Sequence, residues 1–280
     1  MNEPLARCLG FVRALEERCA ERLEPWRFGT AHFHLSLPRV WSLNFLAAAN
    51  AGSAEAAELA READSVQGAA GLVHRRIAVR DDRVGARLAQ GFAQLGWTVE
   101  PLLVMPYGGG GRVPETSAVE EVRRDELEPA WAAGTRERPH GRDEETVRQI
   151  VGQRKVVGEA GRARYFACFV SGEVASYCEL YTDGFTGQIE GVLTLDAWRG
   201  RGFASAVVAR ALAESQAMGH DLTFLLALAD DWPKELYRKL GFESVGSIWD
   251  FVLLSAARAW QGRHPGGANC AAGPSLSGRA

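Results

Sequence analysis

Lysine, cysteine and long apolar runs are scarce in this sequence of 280 residues. Only three of its 32 basic residues are lysines and the net charge is −3, so no broad basic surface is available to gather nucleic-acid phosphates. The five cysteines are widely spaced and form no C-x-x-C pair, which excludes a disulfide framework and argues against a zinc site. No run of about 18 apolar residues could cross a bilayer. We therefore expect no nucleic-acid, membrane or metal partner.

The composition is that of a folded protein, with 46% hydrophobic and 24% charged residues. Charged side chains such as Glu3, Arg7 and Arg13 interrupt the first apolar segment, so we expect no signal peptide. Together with the unpaired cysteines, this predicts a cytoplasmic protein.

Hydrophobic periodicity predicts an α+β unit in the first part of the chain. A helix is predicted over 3–24, ended by Pro25, and a β-hairpin is predicted from strands at 32–35 and 40–45. The pattern then predicts a helix at 53–66, a strand at 74–79, a helix at 84–95 and a strand at 99–105. The glycines at 108–111 indicate a linker.

The second part predicts a strand and two helices, an antiparallel meander, and then alternating helices and strands. The predicted elements are strand 119–122, helices 125–134 and 143–154, strands 165–170, 174–181 and 188–195, helix 204–218, strand 222–229, helix 234–240 and strand 249–254. The domain prediction is a first domain at 1–110, a linker at 111–117, a second domain at 118–255 and a disordered tail at 256–280.

A faint internal repeat relates 87–105 to 235–253. Each segment contains a helix, then Leu-Gly-aromatic, then a strand. A duplicated fold is favoured, with chance similarity of helix-Gly-strand units as the alternative.

The most informative segment is 192–204, in which an apolar strand leads through a loop containing Gly200 and Gly202 directly into a helix. Such a loop aims unpaired backbone N–H groups at one point, at the positive end of the helix dipole. The segment lacks the Gly-Lys-Ser/Thr of a Walker loop, and Ser205 stands where a Rossmann loop has its third glycine. We therefore predict an anion cradle of another kind.

The cradle sequence Arg199-Gly-Arg-Gly-Phe-Ala204 resembles the Q/R-x-x-G-x-G/A signature of the GNAT superfamily of N-acetyltransferases. Tyr237, Gly241 and Phe242 resemble the family's second motif, which ends in Y-x-x-x-G-F, and the resemblance covers about 118–254. The first part resembles a degenerate copy without a glycine-rich cradle between 50 and 75. The implied fold class is α/β (α+β), with two GNAT-like domains, each a mixed, mostly antiparallel sheet flanked by helices.

The resemblance implies acetyl-CoA as co-substrate and no metal. The implied cofactor-binding residues are Leu193, Thr194 and Leu195, whose backbone would pair with the pantetheine arm like an extra strand, and Arg199, Gly200, Arg201, Gly202, Phe203 and Ala204 around the pyrophosphate.

The family position of Tyr237 implies the general acid that protonates the departing thiolate, with a buried core tyrosine as the alternative. Glu190 is the preferred general base, because a carboxylate in a partly desolvated cleft has a raised pKa; Glu179 or water are the alternatives.

The predicted function is acetyl transfer from acetyl-CoA to a primary amine by direct attack, and a non-catalytic acyl-CoA sensor or scaffold is the alternative. The acceptor is a small-molecule or peptide amine, and its identity is left open, as is pairing into a homodimer through sheet edges.

Overall fold

The computed structural model describes residues 3–138, 141 and 143–254. Within them, the helices are α1 (Glu3–Cys19), α2 (Ala56–Ala69), α3 (Asp82–Gln94), α4 (Arg124–Arg136), α5 (Glu144–Ala160), α6 (Phe203–Ala217) and α7 (Pro233–Lys239), with a 3₁₀ turn at Asp196–Trp198. The strands are β1 (Arg22–Trp26), β2 (Gly29–Phe33), β3 (Phe45–Ala47), β4 (His74–Val79), β5 (Thr98–Pro106), β6 (Val119–Val122), β7 (Arg164–Val170), β8 (Glu173–Thr182), β9 (Thr186–Thr194), β10 (Leu222–Leu228) and β11 (Gly246–Leu254).

All of these strands belong to one sheet, in the order β1-β2-β3-β4-β11-β5-β10-β9-β8-β7-β6. Neighbouring strands are antiparallel except for the pairs β3–β4 and β9–β10, which are parallel. The fold is thus a mixed α/β fold with a mostly antiparallel sheet flanked by helices.

Helices cover both faces of the sheet. Alternate residues of β10 separate the two cores, because Phe224 packs with α1 and α5 whereas Leu225 packs with α6 and α7. Helices α2 and α3 pack on the same face as α6 and α7, since both groups contact the side of β5 that carries Val99 and Leu103. Burial on both faces explains why β10 is apolar at almost every position.

The sheet is nearly symmetric about its central β5–β11 pair. The strands on one side are β10, β9, β8 and β7, followed by the additional edge strand β6, and those on the other are β4, β3, β2 and β1. A parallel pair lies at the matching place in each series. Within the central pair, Pro101 lies opposite Trp249. The two segments of the sequence repeat, α3–β5 and α7–β11, therefore occupy related positions in the fold.

Two predictions in the first part of the chain are wrong. Helix α1 ends at Cys19 rather than near residue 24, and the following segment forms the edge strand β1, which pairs only with β2 and therefore tolerates Pro25. The predicted hairpin is also displaced, because 34–44 form turns instead of strands. The buried Asn44 side chain holds these turns by donating to the carbonyls of Leu37 and Val40.

The predicted division at the linker stays a prediction, and the predicted tail at 256–280 lies outside the described residues. None of the described helices combines the length and the apolar character needed to cross a membrane. Within the same part of the chain, no three His, Cys, Asp or Glu side chains lie together as metal ligands.

Candidate active site

The gap in the sheet between β9 and β10 organises the site. These parallel strands are paired from Thr186 and Leu222 to Ile189 and Leu225. Beyond that point β10 continues to pair with β5, and β9 continues to pair with β8. The two strands therefore diverge, which leaves one edge of the end of β9 unpaired with β10.

A β-bulge at Gly191 changes which side chains of β9 face each side of the gap. Glu190 lies opposite Glu179 of β8, but Leu193 lies opposite Tyr177, so β9 has one extra residue between these pairs. Gly191 has a φ of +64°, which suits glycine because other residues have a Cβ that is strained there. Because of the bulge, Glu190 and Val192 point to opposite faces, although they are two residues apart.

On the α6 side, the gap opens into a largely apolar cavity of about 340 Å³. Its lining includes the predicted cofactor residues Thr194, Arg199, Gly200, Arg201, Gly202, Phe203 and Ala204, together with Val192, Trp198, Trp232, Pro233, Leu236 and Tyr237. Leu193 and Leu195, predicted to contact the cofactor through their backbone, are not among the lining residues. The Leu193 side chain packs with Trp131 on the opposite face, and the backbone N–H of Leu195 donates to Ala175 at 3.0 Å.

The cradle loop has the geometry that its glycines predict. Gly200 and Gly202 have φ values of +74° and +84°, and a Cβ at either position would meet no atom within 4 Å. Helix α6 begins at Phe203 without a side-chain cap. Its first N–H groups therefore face the cavity mouth without a hydrogen bond to a capping side chain. These open glycines and the uncapped helix end suit a phosphate group.

The two arginines of the loop are held by neighbours. Arg199 forms an ion pair with Asp196, and the guanidinium of Arg201 lies 5.0 Å from the centre of the Trp198 ring. Both are therefore positioned near the cradle, and their positive charge favours an anion there.

Tyr237 lies on α7 and lines the same cavity. Its side chain is 3% exposed and packs edge-on against Phe242. Burial raises the pKa of Tyr237 well above its usual value, and the negative charge of nearby Glu190 raises it further. The phenol therefore stays protonated at neutral pH, as a proton donor must.

Glu190 lies on the other side of the gap and lines a second cavity, of about 140 Å³, between α1 and α5. Gln188, two residues earlier on β9, donates a hydrogen bond of 2.6 Å to Glu190 Oε2. Burial raises the pKa of Glu190 to about 7. A carboxyl group with this pKa can accept and release a proton near neutrality.

Glu179, the alternative base, is tied to other groups. Its Oε1 accepts from Arg154 Nη1 at 2.6 Å, and its Oε2 accepts from the Tyr181 hydroxyl at 2.5 Å. Glu179 is fully buried, whereas Glu190 is only partly buried and faces the cavity. The geometry therefore favours Glu190 as the base.

Sequence reasoning missed several polar residues of the second cavity. Gln188 and Tyr181 could have been found, because alternation along β8 and β9 places them on the same face as Glu179 and Glu190. Four others come from three segments far apart in the sequence, and no local pattern connects these segments: Glu16, Arg76 with Arg80, and Asp250.

Residues 121–242 match the acetyltransferase (GNAT) family. These residues form a GNAT acetyltransferase domain. The domain contains the cradle, Glu190 and Tyr237, and it makes the protein an enzyme of the acyltransferase class. No curated protein matches the sequence.

The fold is also found in solved structures that extend beyond the GNAT domain. A conserved protein of unknown function from Staphylococcus epidermidis is 12% identical, with a TM-score of 0.64, over 84% of this chain and 94% of that one. A GCN5-related N-acetyltransferase from Kribbella flavida is 18% identical, with a TM-score of 0.59, over 90% of this chain and 96% of that one. The similarity in fold therefore includes the part before the GNAT domain.

Proposed function

We propose that the protein transfers an acetyl group from acetyl-CoA to a primary amine by direct attack of the amine nitrogen. One observation carries this proposal. The cavity with the cradle and Tyr237 and the cavity with Glu190 lie on opposite faces of the sheet, at the same gap between β9 and β10. The donor and the acceptor would enter from opposite sides and meet in the gap.

The residues of the first cavity fit acetyl-CoA. Backbone N–H groups of Arg201, Gly202, Phe203 and Ala204 would hold the pyrophosphate, because the loop is open there and precedes an uncapped helix. The backbone of β9 near Thr194 would pair with the pantetheine arm as an added strand does. When bound, acetyl-CoA supplies the acyl group as an activated thioester.

Glu190 would bind the amine and accept its proton. An ammonium ion has no lone pair, so attack requires that a proton leave the nitrogen. Gln188 orients the Glu190 carboxylate through its 2.6 Å hydrogen bond. The raised pKa of about 7 makes Glu190 a stronger base than an exposed glutamate would be.

Tyr237 would donate its phenolic proton to the departing sulfur. The apolar environment keeps this proton in place until negative charge develops on the sulfur. The separation of the two groups on opposite sides of the gap supports a mechanism in which Glu190 acts on the acceptor and Tyr237 acts on the donor.

The test is thiol release from acetyl-CoA in the presence of a mixed panel of primary amines. Because Glu190 acts as a base only when ionised, kcat/KM should rise as the pH increases through about 7. Glu190→Gln should remove this limb and lower kcat/KM by roughly 10²-fold. The matched control is Glu173→Gln, on the exposed start of β8, which should leave the profile unchanged.

Acetyl-CoA binding without thiol release from any amine would contradict the proposal and favour an acyl-CoA sensor. A Glu190→Gln variant that keeps the pH limb would reject Glu190 as the base while leaving acetyl transfer in place.

A further inference from the structure

The second cavity extends from Glu190 to charged side chains that lie outside the GNAT domain. Glu16 of α1, Arg76 of β4, Arg80 just after β4, and Asp250 of β11 all line it. We call these four residues the distal cluster. Their place in the same cavity as the base suggests a role in binding the acceptor.

The distal cluster is tightly connected. Arg76 Nη2 donates to Asp250 Oδ2 at 2.6 Å, and Arg80 pairs with Glu16. Arg80 also lies 3.9 Å from Asp250 Oδ1. The guanidinium of Arg76 lies 4.8 Å from the centre of the Phe45 ring, which holds it in place.

Three polar atoms of the cluster have no hydrogen-bond partner among the described residues. They are the donor Arg76 Nε and the facing pair of Arg80 Nη1 (a donor) and Asp250 Oδ1 (an acceptor), which lie 3.9 Å apart, beyond hydrogen-bond distance. The Asp250 side chain is 0% exposed and that of Arg76 is 5% exposed. Buried polar groups are rarely left unpaired, so these atoms indicate a ligand that both accepts and donates hydrogen bonds.

The formal charges of the distal cluster cancel, because it contains two arginines and two carboxylates; burial raises the pKa of Glu16, and the adjacent Arg80 and Arg76 oppose this rise. Glu100 faces Asp250 from β5, and its pKa of about 8 keeps it largely protonated at pH 7. His32, beside the arginines, has a pKa of about 4 because of burial and is neutral. Near the base, Arg154 forms an ion pair with Glu179 and also attracts Glu190, so these three side chains carry one formal negative charge more than they carry positive.

We propose that the acceptor is a small amine with one cationic nitrogen and, at its far end, an uncharged hydroxyl or amide group that binds the distal cluster. This inference rests on the proposed function, which places the nitrogen at Glu190. The cluster thus makes the part of the chain before the GNAT domain a determinant of acceptor specificity.

Other end groups fit less well. A carboxylate would be repelled by Glu16 and Asp250, and a second ammonium would be repelled by Arg76 and Arg80. A methyl group would form no hydrogen bond with the three atoms of the distal cluster that lack a partner. The cavity volume of about 140 Å³ limits the ligand to a small molecule.

A matched set of amines tests the inference at pH 7: aminobutanol, aminobutanamide, aminobutyrate, diaminobutane and pentylamine. Calorimetry without acetyl-CoA measures binding, and thiol release measures turnover. Aminobutanol and aminobutanamide should bind at least about tenfold more tightly than the other three, and turnover should follow the same order.

Two variants that each remove one charge should change this order in opposite directions. Glu16→Gln leaves one arginine charge unbalanced and should improve binding of aminobutyrate relative to aminobutanol by at least about tenfold. Arg80→Gln leaves one carboxylate unbalanced and should improve binding of diaminobutane relative to aminobutanol by at least about tenfold. The control is Arg75→Gln, because Arg75 pairs with Asp64 outside the cavity and its loss should preserve the order.

Equal binding of pentylamine and aminobutanol would overturn the inference. So would equal losses for every amine in both variants, because a purely structural role predicts this pattern. Calorimetry distinguishes these outcomes from failure of the proposed function. Even if no amine releases thiol, the relative affinities of the amines for the wild type and the two variants still test the inference.

Discussion

Replacing Gly191 with alanine is the sharpest test of how the bulge shapes the site. With its φ of +64°, this position costs a residue with a Cβ about 1–2 kcal/mol. The added Cβ would also lie 2.5 Å from Arg154 Nη1 and 2.9 Å from Glu179 Oε1. The ends of long side chains usually move away easily, but this ion pair is buried and is joined by Tyr181.

We therefore expect Gly191→Ala to lower the free energy of unfolding by at least about 3 kcal/mol, because disrupting a buried ion pair adds to the backbone strain. Gly172→Ala is the matched control. Gly172 has a φ of +83° in the β7–β8 turn, and a Cβ there meets no atom within 4 Å, so only the backbone strain of about 1–2 kcal/mol applies.

Urea denaturation of both variants measures the difference. Equal destabilisation would refute the reasoning, since it would mean that Arg154 and Glu179 yield to the added methyl group at no cost. A larger loss in Gly191→Ala, accompanied by a shifted pH limb of kcat/KM, would link the ion pair to the position of Glu190.

Three further predictions concern the donor side. Tyr237→Phe should lower the single-turnover rate by roughly 10²-fold, with acetyl-CoA affinity nearly unchanged. The free energy of unfolding should fall by no more than about 1 kcal/mol. A single-turnover rate equal to that of the wild type would reject Tyr237 as the acid. Gly202→Glu should weaken acetyl-CoA binding at least about tenfold, as measured by calorimetry. The variant Gly202→Ala is the control, because it introduces the backbone strain without the added charge. Equal acetyl-CoA affinities of Gly202→Glu and the wild type would place the pyrophosphate elsewhere. Titration should find one acetyl-CoA per chain, and two equivalent sites would show that the first part of the chain retains a cradle.

Much of the second part of the fold was predictable because its signals are local. β6 has the predicted bounds, and α6 begins one residue before its predicted start, where the glycine loop meets an apolar helix. The first part of the chain was predicted less well. Pro25 and its charged neighbours are not typical of a strand, so the edge strand β1 was not predicted. The segment before Phe45 contains residues typical of strands, but the buried amide of Asn44 stabilises turns there.

The site was predictable only where chemistry follows sequence spacing. The cradle and Tyr237 lie in recognisable motifs, and the structure brings both to one cavity. An isolated glycine within a strand could have indicated the Gly191 bulge. The distal cluster could not be predicted, because Glu16, Arg76 and Asp250 meet only when three distant segments pack together.

The position of β11 has a consequence for how the protein forms during synthesis. β4 and β5 are both complete by residue 106, yet neither is bonded to the other, because β11 lies between them. Until residues 246–254 have been made, the nascent chain has two strand edges with unsatisfied backbone groups, and these edges invite pairing with other chains. The order of translation thus makes the early half dependent on the last described strand, and substitutions in β11 should increase aggregation of newly made protein.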